Sequence, residues 1–276
     1  MIGAYAFTAN DWMELDYPLD LWLKWNSKFF DQISLATYGK LIFDDLPKNV
    51  KVSEIPYKLD KSSEEYIFKG KSYAQSLLDT EWKVMLDIDE FVKERIETSR
   101  FNKKKAYAIR DIHLFGNLET EILNAFPQHY FRIHYGHRRL DKYAGSVAPP
   151  YAAKINFGNV IYDIIYKLTA KNPTKSIYTV SSNSSCEVWH TNALRRPNVM
   201  KNKWILETVS AINSAHGDKS YEEFLSKISI SFSYGEYKKF FPTAKLKKVN
   251  LKELPDVFID NSQRFNHYQF DSTSYI

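Results

Sequence analysis

Short apolar runs alternate with helical patterns across the first ninety residues of the chain. Ile2–Thr8 and Trp82–Ile88 are interpreted as buried strands, because each is a short apolar run bounded by polar residues. Between them, Trp22, Trp25 and Phe29 recur at helical spacing, which predicts one face of a helix. The other elements predicted in this part are two strands and a second helix, at Ile33–Tyr38, Val50–Tyr57 and 62–78. This order predicts an α/β fold with a mixed, mostly parallel sheet flanked by helices, and such sheets bind ligands at the carboxyl ends of their strands.

The remainder of the chain shows weaker patterns. Strands are predicted at Ala106–Phe115 and Tyr130–Tyr135, and helices at Val199–His216 and Ser220–Ile228. No repeat and no linker rich in Gly, Ser or Pro interrupts the sequence. We therefore expect one domain over residues 1–215, with a helical or irregular C-terminal extension, residues 216–276, packed on it.

Composition narrows the class of protein. The 276 residues are 44% hydrophobic and 26% charged, values that exclude a disordered, collagen-like or coiled-coil chain. Cys186 is the single cysteine, which excludes an intramolecular disulfide and a multi-cysteine zinc site. No apolar stretch approaches the roughly 20 residues that span a bilayer, and the first residues do not resemble a secretory signal. We therefore expect a cytoplasmic protein.

Charge is distributed unevenly along the chain. Residues 1–100 carry 18 acidic and 13 basic side chains, a net charge of −5, whereas residues 101–276 carry 15 acidic and 25 basic side chains, a net charge of +10. A basic region of this kind attracts polyanions. Nucleic acid, an anionic membrane surface and a nucleotide phosphate are all consistent with this charge.

An apolar strand runs directly into three carboxylates near residue 90. Asp87, Asp89 and Glu90 follow the run Trp82–Leu86. In an extended chain Asp87 and Asp89 point to the same side, where their charges repel each other unless a cation offsets them. Carboxylate oxygens are ligands that suit Mg2+ or Mn2+. The segment therefore indicates either a divalent-cation site or a strand end whose acids face water.

His190 begins a second polar segment. It follows a short apolar run and precedes four basic residues, Arg195, Arg196, Lys201 and Lys203. Arginine binds phosphate through two N–H groups, lysine supplies a point charge, and the amino end of a helix adds a favourable dipole. The segment therefore indicates either a diphosphate-binding site or a solvated basic face of a helix.

The segment Leu86–Phe91, with Trp82 before it, resembles the metal-binding motif of GT-A-fold glycosyltransferases, especially those similar to glycosyltransferase family 2. A later part of these enzymes is similar to the order His190, Arg195 or Arg196, Pro197, Met200 and Lys203. The resemblance implies a Rossmann-like GT-A fold over residues 1–215. It also implies a divalent cation, Mn2+ or Mg2+, held by Asp87, Asp89 and His190 at the diphosphate of a nucleotide sugar.

The resemblance implies roles for further residues around these two segments. Those expected at the nucleotide or its diphosphate are Thr8, Asn10, Lys71, Arg195 and Lys203. Glu90 and His113 are expected near the transferred sugar or the acceptor. In an inverting reaction a side chain must accept the proton of the acceptor hydroxyl, and the first choice for this base is Glu187, followed by Asp163.

The function implied by the resemblance is metal-dependent transfer of a sugar from a UDP- or GDP-sugar to a hydroxyl of a glycan, lipid-linked or protein-linked acceptor, with inversion as the first choice and retention left open. Peripheral contact with a membrane is left open, and this interpretation expects no nucleic acid partner. Two other hypotheses stay open. A non-enzymatic binding protein for nucleic acid or a membrane surface would use interleaved aromatics and lysines such as Tyr234–Lys239. A phosphotransferase would use the same acids.

Overall fold

Parallel strands form the first part of the β-sheet. The computed structural model describes residues 1–9, 11–59, 65–124, 129–137, 180–196, 199, 244–270 and 275. Its parallel strands are β1 (Ile2–Ala9), β2 (Gln32–Tyr38), β3 (Val50–Glu54) and β4 (Trp82–Met85). They lie in the order β4-β1-β2-β3, and the connections contain the helices α1 (Leu19–Asn26) and α2 (Glu65–Ser76). This strand order is the one found in Rossmann-like folds, so the predicted α/β class is confirmed.

The burial of β1 and β4 explains why their sequences are apolar runs. Every residue of β4 is buried, as is every residue of β1 before Ala9. Strands covered on both faces need apolar side chains on both sides, which removes the alternation of polar and apolar residues. Lys83 is the buried charge in β4, and its Nζ donates to the backbone oxygen of Leu78 at 2.5 Å. Burial lowers the pKa of Lys83.

Antiparallel strands follow β4 along the chain. β8 (His129–Tyr135) pairs with β4, and β6 (Lys105–Phe115) pairs with β8. The short strand β5 (Glu90–Val92) pairs with β9 (Val180–Ala193), which also pairs with β6. The predicted strands at 106–115 and 130–135 are confirmed. The pairs β4–β8, β6–β8 and β5–β9 are all antiparallel.

Gly70 lets α2 approach β1 closely. A Cβ atom at this position would lie 2.3–2.6 Å from ring atoms of Phe7, well inside van der Waals contact. A glycine inside a helix costs about 1 kcal/mol relative to alanine, and the close packing offsets that cost. The next residue on α2, Lys71, is buried, so its position depends on this approach.

The chain divides into two units. Unit 1 consists of Met1–Ile112 and Pro127–His190, and unit 2 consists of His113–Phe126 and Thr191–Ile276. The predicted domain boundary at residue 215 lies outside the described residues. The predicted helix at 199–216 lies outside them except for its first residue, and the predicted helix at 220–228 lies wholly outside them, so all three remain predictions.

Unit 2 contains a smaller antiparallel arrangement. Its elements are β7 (Asn117–Leu123), β10 (Lys245–Lys248) and the short helix α3 (Asp256–Ile259). β7 pairs with β10 and with the end of β6. Phe270 stacks on Phe115 with ring centroids 5.9 Å apart, so aromatic packing orders a C-terminal segment that the sequence pattern left unassigned. Among the described residues no helix is long and apolar enough to cross a membrane.

Candidate active site

The three acids after β4 lie in a tight turn. β4 ends at Met85, and the N–H of Glu90 donates to the backbone oxygen of Asp87 at 3.0 Å. The N–H of Asp87 in return donates to the Glu90 carboxylate at 2.7 Å. The expectation that Asp87 and Asp89 share a side through strand alternation is therefore wrong, because the strand ends before the acids begin. The turn leaves Asp87 with 43% of its side chain exposed, whereas Asp89 and Glu90 are buried.

This turn lies where the order of the parallel strands reverses. β1 has β2 on one side and β4 on the other. In such sheets the carboxyl ends of the strands at the reversal form a crevice that binds ligands. Thr8, predicted to contact the nucleotide, is buried near the end of β1, and its hydroxyl donates to the backbone oxygen of Ala9 at 3.2 Å. Asn10, which has the same predicted role, lies outside the described residues.

Two cations lie beside Asp87. The Nζ of Lys71 is 2.5 Å from Asp87 Oδ1, and the Lys71 side chain is 4% exposed. The guanidinium of Arg132 lies 4.0 Å from the other carboxylate oxygen. Desolvation raises the pKa of Asp87, but the charges of Lys71 and Arg132 outweigh it and hold this pKa below its ordinary value. Asp87 is therefore a carboxylate near neutral pH.

Arg132 on β8 connects two fully buried carboxylates. Its guanidinium contacts Glu90 Oε2 through one terminal nitrogen, and the other lies 3.1 Å from Asp111 Oδ2. The ring of Tyr130 covers the guanidinium at 4.8 Å. Burial raises the pKa of Glu90 to about 8 against the opposing charge of Arg132, with nearby Asp87 adding to the rise. A planar guanidinium has two terminal nitrogens, so it can donate to both acids at once.

His190 lies between two carboxylates. In the β5–β9 ladder it is directly opposite Glu90, so the two side chains share a face of the strands. Its Nε2 is 3.6 Å from Asp89 Oδ1, and its Nδ1 is 3.5 Å from Asp111 Oδ2. Burial lowers the pKa of His190, but Asp89 and Asp111 outweigh this and raise it to about 10. We call Glu90, Asp111, Arg132 and His190 the acidic face.

The side chains around His190 suit a metal ion. Asp89 offers a carboxylate oxygen and His190 an imidazole nitrogen on the same side of the turn. Carboxylates suit Mg2+ and Mn2+, and imidazole suits transition-metal ions. Asp111, next to the other ring nitrogen, is placed like the outer carboxylates that orient metal-binding histidines. Asp111 and His190 also lie close enough together for both side chains to bind one metal ion.

The short strand β5 is held along both edges. β9 pairs with one edge. On the other edge the buried amide of Asn26, at the end of α1, donates to the backbone oxygen of Glu90 and accepts from the N–H of Val92, each at 3.0 Å. The indole of Trp25 donates to the backbone oxygen of Val92 at 2.7 Å. α1 therefore fixes the strand that follows the acidic turn.

Glu187 lies on the opposite side of β9 from His190. The two residues are three positions apart on a regularly paired stretch, so their side chains point to opposite faces. One carboxylate oxygen of Glu187 accepts from Arg110 at 2.6 Å, and the other accepts from Lys93 at 2.9 Å. Burial raises the pKa of Glu187, but these two hydrogen bonds outweigh it and hold the pKa below its ordinary value.

These contacts argue against Glu187 as the catalytic base. A base that works near neutral pH needs a pKa in that range and an oxygen that can reach the substrate, whereas both oxygens of Glu187 are bound to cations. The ammonium of Lys93 also lies 4.8 Å from the ring of Trp189. We call Lys93, Arg110 and Glu187 the basic face.

The other predicted site residues have different locations. Arg195 is buried in unit 2. His113, on β6, is also buried and belongs to unit 2. Asp163 and Lys203 lie outside the described residues.

Sequence analysis missed two residues of the acidic face. Arg132 and Asp111 lie in strands that were predicted correctly, but neither was assigned a role at the site. Each is a charged residue within a mainly apolar run, and such a charge is buried only when it is paired. A charged residue within an apolar run therefore predicts a buried ion pair. It does not identify the strand that carries the partner.

No known protein family matches the sequence, and neither does any curated protein. Among solved structures, the chain is similar to the crystal structure of S. aureus TarS 1-349, with a TM-score of 0.32 and 13% sequence identity. The similarity covers 81% of this chain and 70% of that one. The fold class follows from the order of the strands, and the candidate site is described by its own geometry.

Proposed function

We propose that this protein is a metal-dependent glycosyltransferase that moves a sugar from a nucleotide-sugar donor to an acceptor hydroxyl. The observation that carries the proposal is the position of the acidic turn. Asp87 and Asp89 follow β4 at the reversal of the strand order, and Asp89 faces His190 across 3.6 Å. Sheets of this order bind nucleotides at that place, and the side chains there suit a divalent cation.

In this proposal Asp87, Asp89 and His190 hold the cation, with Mn2+ the better fit because imidazole is among the ligands. When bound, the cation supplies positive charge that stabilises the leaving diphosphate. Asp111 and Arg132 are proposed to position these ligands without binding the cation. Asp111 orients the imidazole of His190, and Arg132 holds Asp111 and Glu90 in place.

Further residues are proposed to bind the donor. Lys71 lies next to Asp87, within reach of a phosphate at the turn, and Thr8 lies at the end of β1. Asn10, Arg195 and Lys203 complete the proposed contacts with the nucleotide, and Glu90 and His113 are proposed near the sugar or the acceptor.

The proposed reaction is an inverting one. The acceptor hydroxyl must lose its proton as the new bond forms, and a carboxylate must accept that proton. Because Glu187 is engaged by two cations, Asp163 takes the role of base in this proposal.

The proposed partners follow from the same interpretation. The donor is a UDP- or GDP-sugar, and the acceptor is a glycan or a lipid-linked molecule. The net charge of +10 in residues 101–276 supports an anionic acceptor or contact with an anionic membrane surface. We propose a cytoplasmic location, which agrees with the single cysteine.

The proposal is tested by thermal unfolding with and without Mn2+ and with UDP or GDP. A bound ligand raises the melting temperature of the folded protein by mass action. We expect Mn2+ and one of the nucleotides together to raise it by several degrees. Asp89→Asn should lose the part that depends on Mn2+, whereas Asp260→Asn, a change at an exposed residue of unit 2, should keep it.

A screen of nucleotide sugars for Mn2+-dependent hydrolysis then identifies the donor. No shift in melting temperature with any nucleoside diphosphate contradicts the proposal. Release of inorganic phosphate without a sugar donor indicates a phosphotransferase instead. Salt-dependent binding of nucleic acid that Asp87→Ala does not change indicates a binding protein.

A further inference from the structure

We propose that Lys71 and the divalent cation compete for Asp87, so that cation binding moves Lys71 from Asp87 to a phosphate of the nucleotide. This inference rests on the proposed function. It assigns Lys71 two successive partners, which makes the residue a link between the cation site and the nucleotide site.

The first step of the argument is the contact itself. Lys71 Nζ lies 2.5 Å from Asp87 Oδ1, so a divalent ion on the same oxygen would lie close to the ammonium group. Like charges at such separations repel strongly in a partly buried site. A divalent ion bound through Asp87 Oδ1 therefore competes with the ammonium group.

The second step compares the two cations of the site. Arg132 contacts Glu90 and Asp111, both fully buried. Its distance to Asp87 is longer, at 4.0 Å. Arg132 therefore keeps two partners when Asp87 changes its own. Lys71 has Asp87 as its carboxylate partner in the part of the chain that the structure describes. Lys71 is thus the cation that is exchanged.

The third step concerns where Lys71 goes. Its side chain is 4% exposed, and a buried ammonium without an anion is costly. The lysine stem is flexible and carries a compact charge that binds phosphate. Asp87 is at the crevice proposed for the diphosphate, so a phosphate there lies within reach of the displaced ammonium. Cation and nucleotide should then each increase the affinity of the protein for the other.

Calorimetric titration of the full chain with Mn2+, alone and with UDP or GDP, tests this inference. Lys71→Met should bind Mn2+ alone about fivefold more tightly than the wild type, because a competing ion pair of ordinary strength is removed. The same variant should bind the nucleotide more weakly at saturating Mn2+. Opposite changes of this kind distinguish ligand exchange from simple support of the fold, which would weaken both.

Two further variants complete the design. Lys69→Met removes one charge from an exposed position of the same helix and should behave like the wild type. Lys71→Gln gives a second neutral side chain in case the methionine variant does not fold. Equal or weaker Mn2+ binding by both neutral variants, with the wild type binding Mn2+, overturns the inference alone. Absence of Mn2+ binding by the wild type, with and without nucleotide, overturns the proposed function as well.

Discussion

The acidic face and the basic face lie on opposite sides of the same strands. They differ in how their charged side chains are paired and how deeply these are buried. On the basic face one carboxylate, Glu187, is matched by Arg110 and Lys93, and all three side chains are partly exposed. On the acidic face Arg132 is matched by two carboxylates that are fully buried. A surface network of the first kind contributes little to stability.

The difference shows which set of charges is costly to maintain. Fully buried ionisable groups carry a large desolvation cost, and they are found preferentially at functional sites. The acidic face also adjoins the exposed Asp87 at the carboxyl edge of the sheet, whereas the basic face has its acid neutralised. The comparison therefore points to the acidic face as the side that binds a ligand.

The largest effect is expected from Arg132→Met. Removing this cation leaves Glu90 and Asp111 buried without their shared partner, which should lower the free energy of unfolding by about 3–5 kcal/mol. Arg110→Met on the basic face should lower it by about 0–1 kcal/mol. Urea denaturation of the two variants measures both values, and equal losses would remove the distinction between the faces.

A smaller effect is expected from Asp111→Asn. If Asp111 orients His190 as an outer carboxylate, the affinity for Mn2+ should fall by about 10–100-fold. Calorimetric titration measures this change. Glu187→Gln is the matched control on the basic face and should leave Mn2+ affinity at the wild-type value. A drop in the control as large as that in Asp111→Asn would contradict the assignment.

Gly70→Ala tests whether ligand binding at the acidic face depends on the close approach of α2. The added methyl group meets the ring of Phe7, and overpacking of this kind costs about 1–3 kcal/mol, partly offset by the helix propensity of alanine. We expect a lower melting temperature and a weaker shift with Mn2+ and nucleotide. Ser72→Ala, at an exposed position of the same helix, should change neither.

The smallest effect concerns the pH dependence of Glu187. Its pKa is lower in the folded protein than its ordinary value of 4.5, so the carboxylate contributes stability above pH 4.5 that is lost as the pH falls through the folded value. The difference in unfolding free energy between the wild type and Glu187→Gln should be below about 1 kcal/mol at neutral pH. It should shrink further below pH 4.5. A difference that grows on acidification would contradict the ion pairs described for this residue.

Much of the parallel part of the fold was predictable from sequence. β1 and β4 are short apolar runs because both faces of a parallel strand are covered, and that pattern is visible in the sequence. β5 was not predicted, since three residues give no periodicity and the strand exists through its pairing with β9 and Asn26. The C-terminal tail escaped prediction because its order comes from rings of distant residues such as Phe115 and Phe270.

The candidate site was predictable only where one segment carried it. Asp87 and Asp89 are adjacent to a strand end, so their place at the edge of the sheet followed from local sequence. Sequence could not indicate that Asp89 faces His190, because that distance depends on long-range strand pairing. Glu187 is three residues from His190 along the chain, but alternation along β9 places the two side chains on opposite faces.

The amide of Asn26 has a consequence for the edge of β5 that β9 does not pair with. A strand edge presents backbone groups that can pair with a strand from another molecule. Asn26 occupies the donor and the acceptor of that edge with its own amide. A side chain thus takes the place of a neighbouring strand, and these two backbone groups are not available for pairing with another molecule.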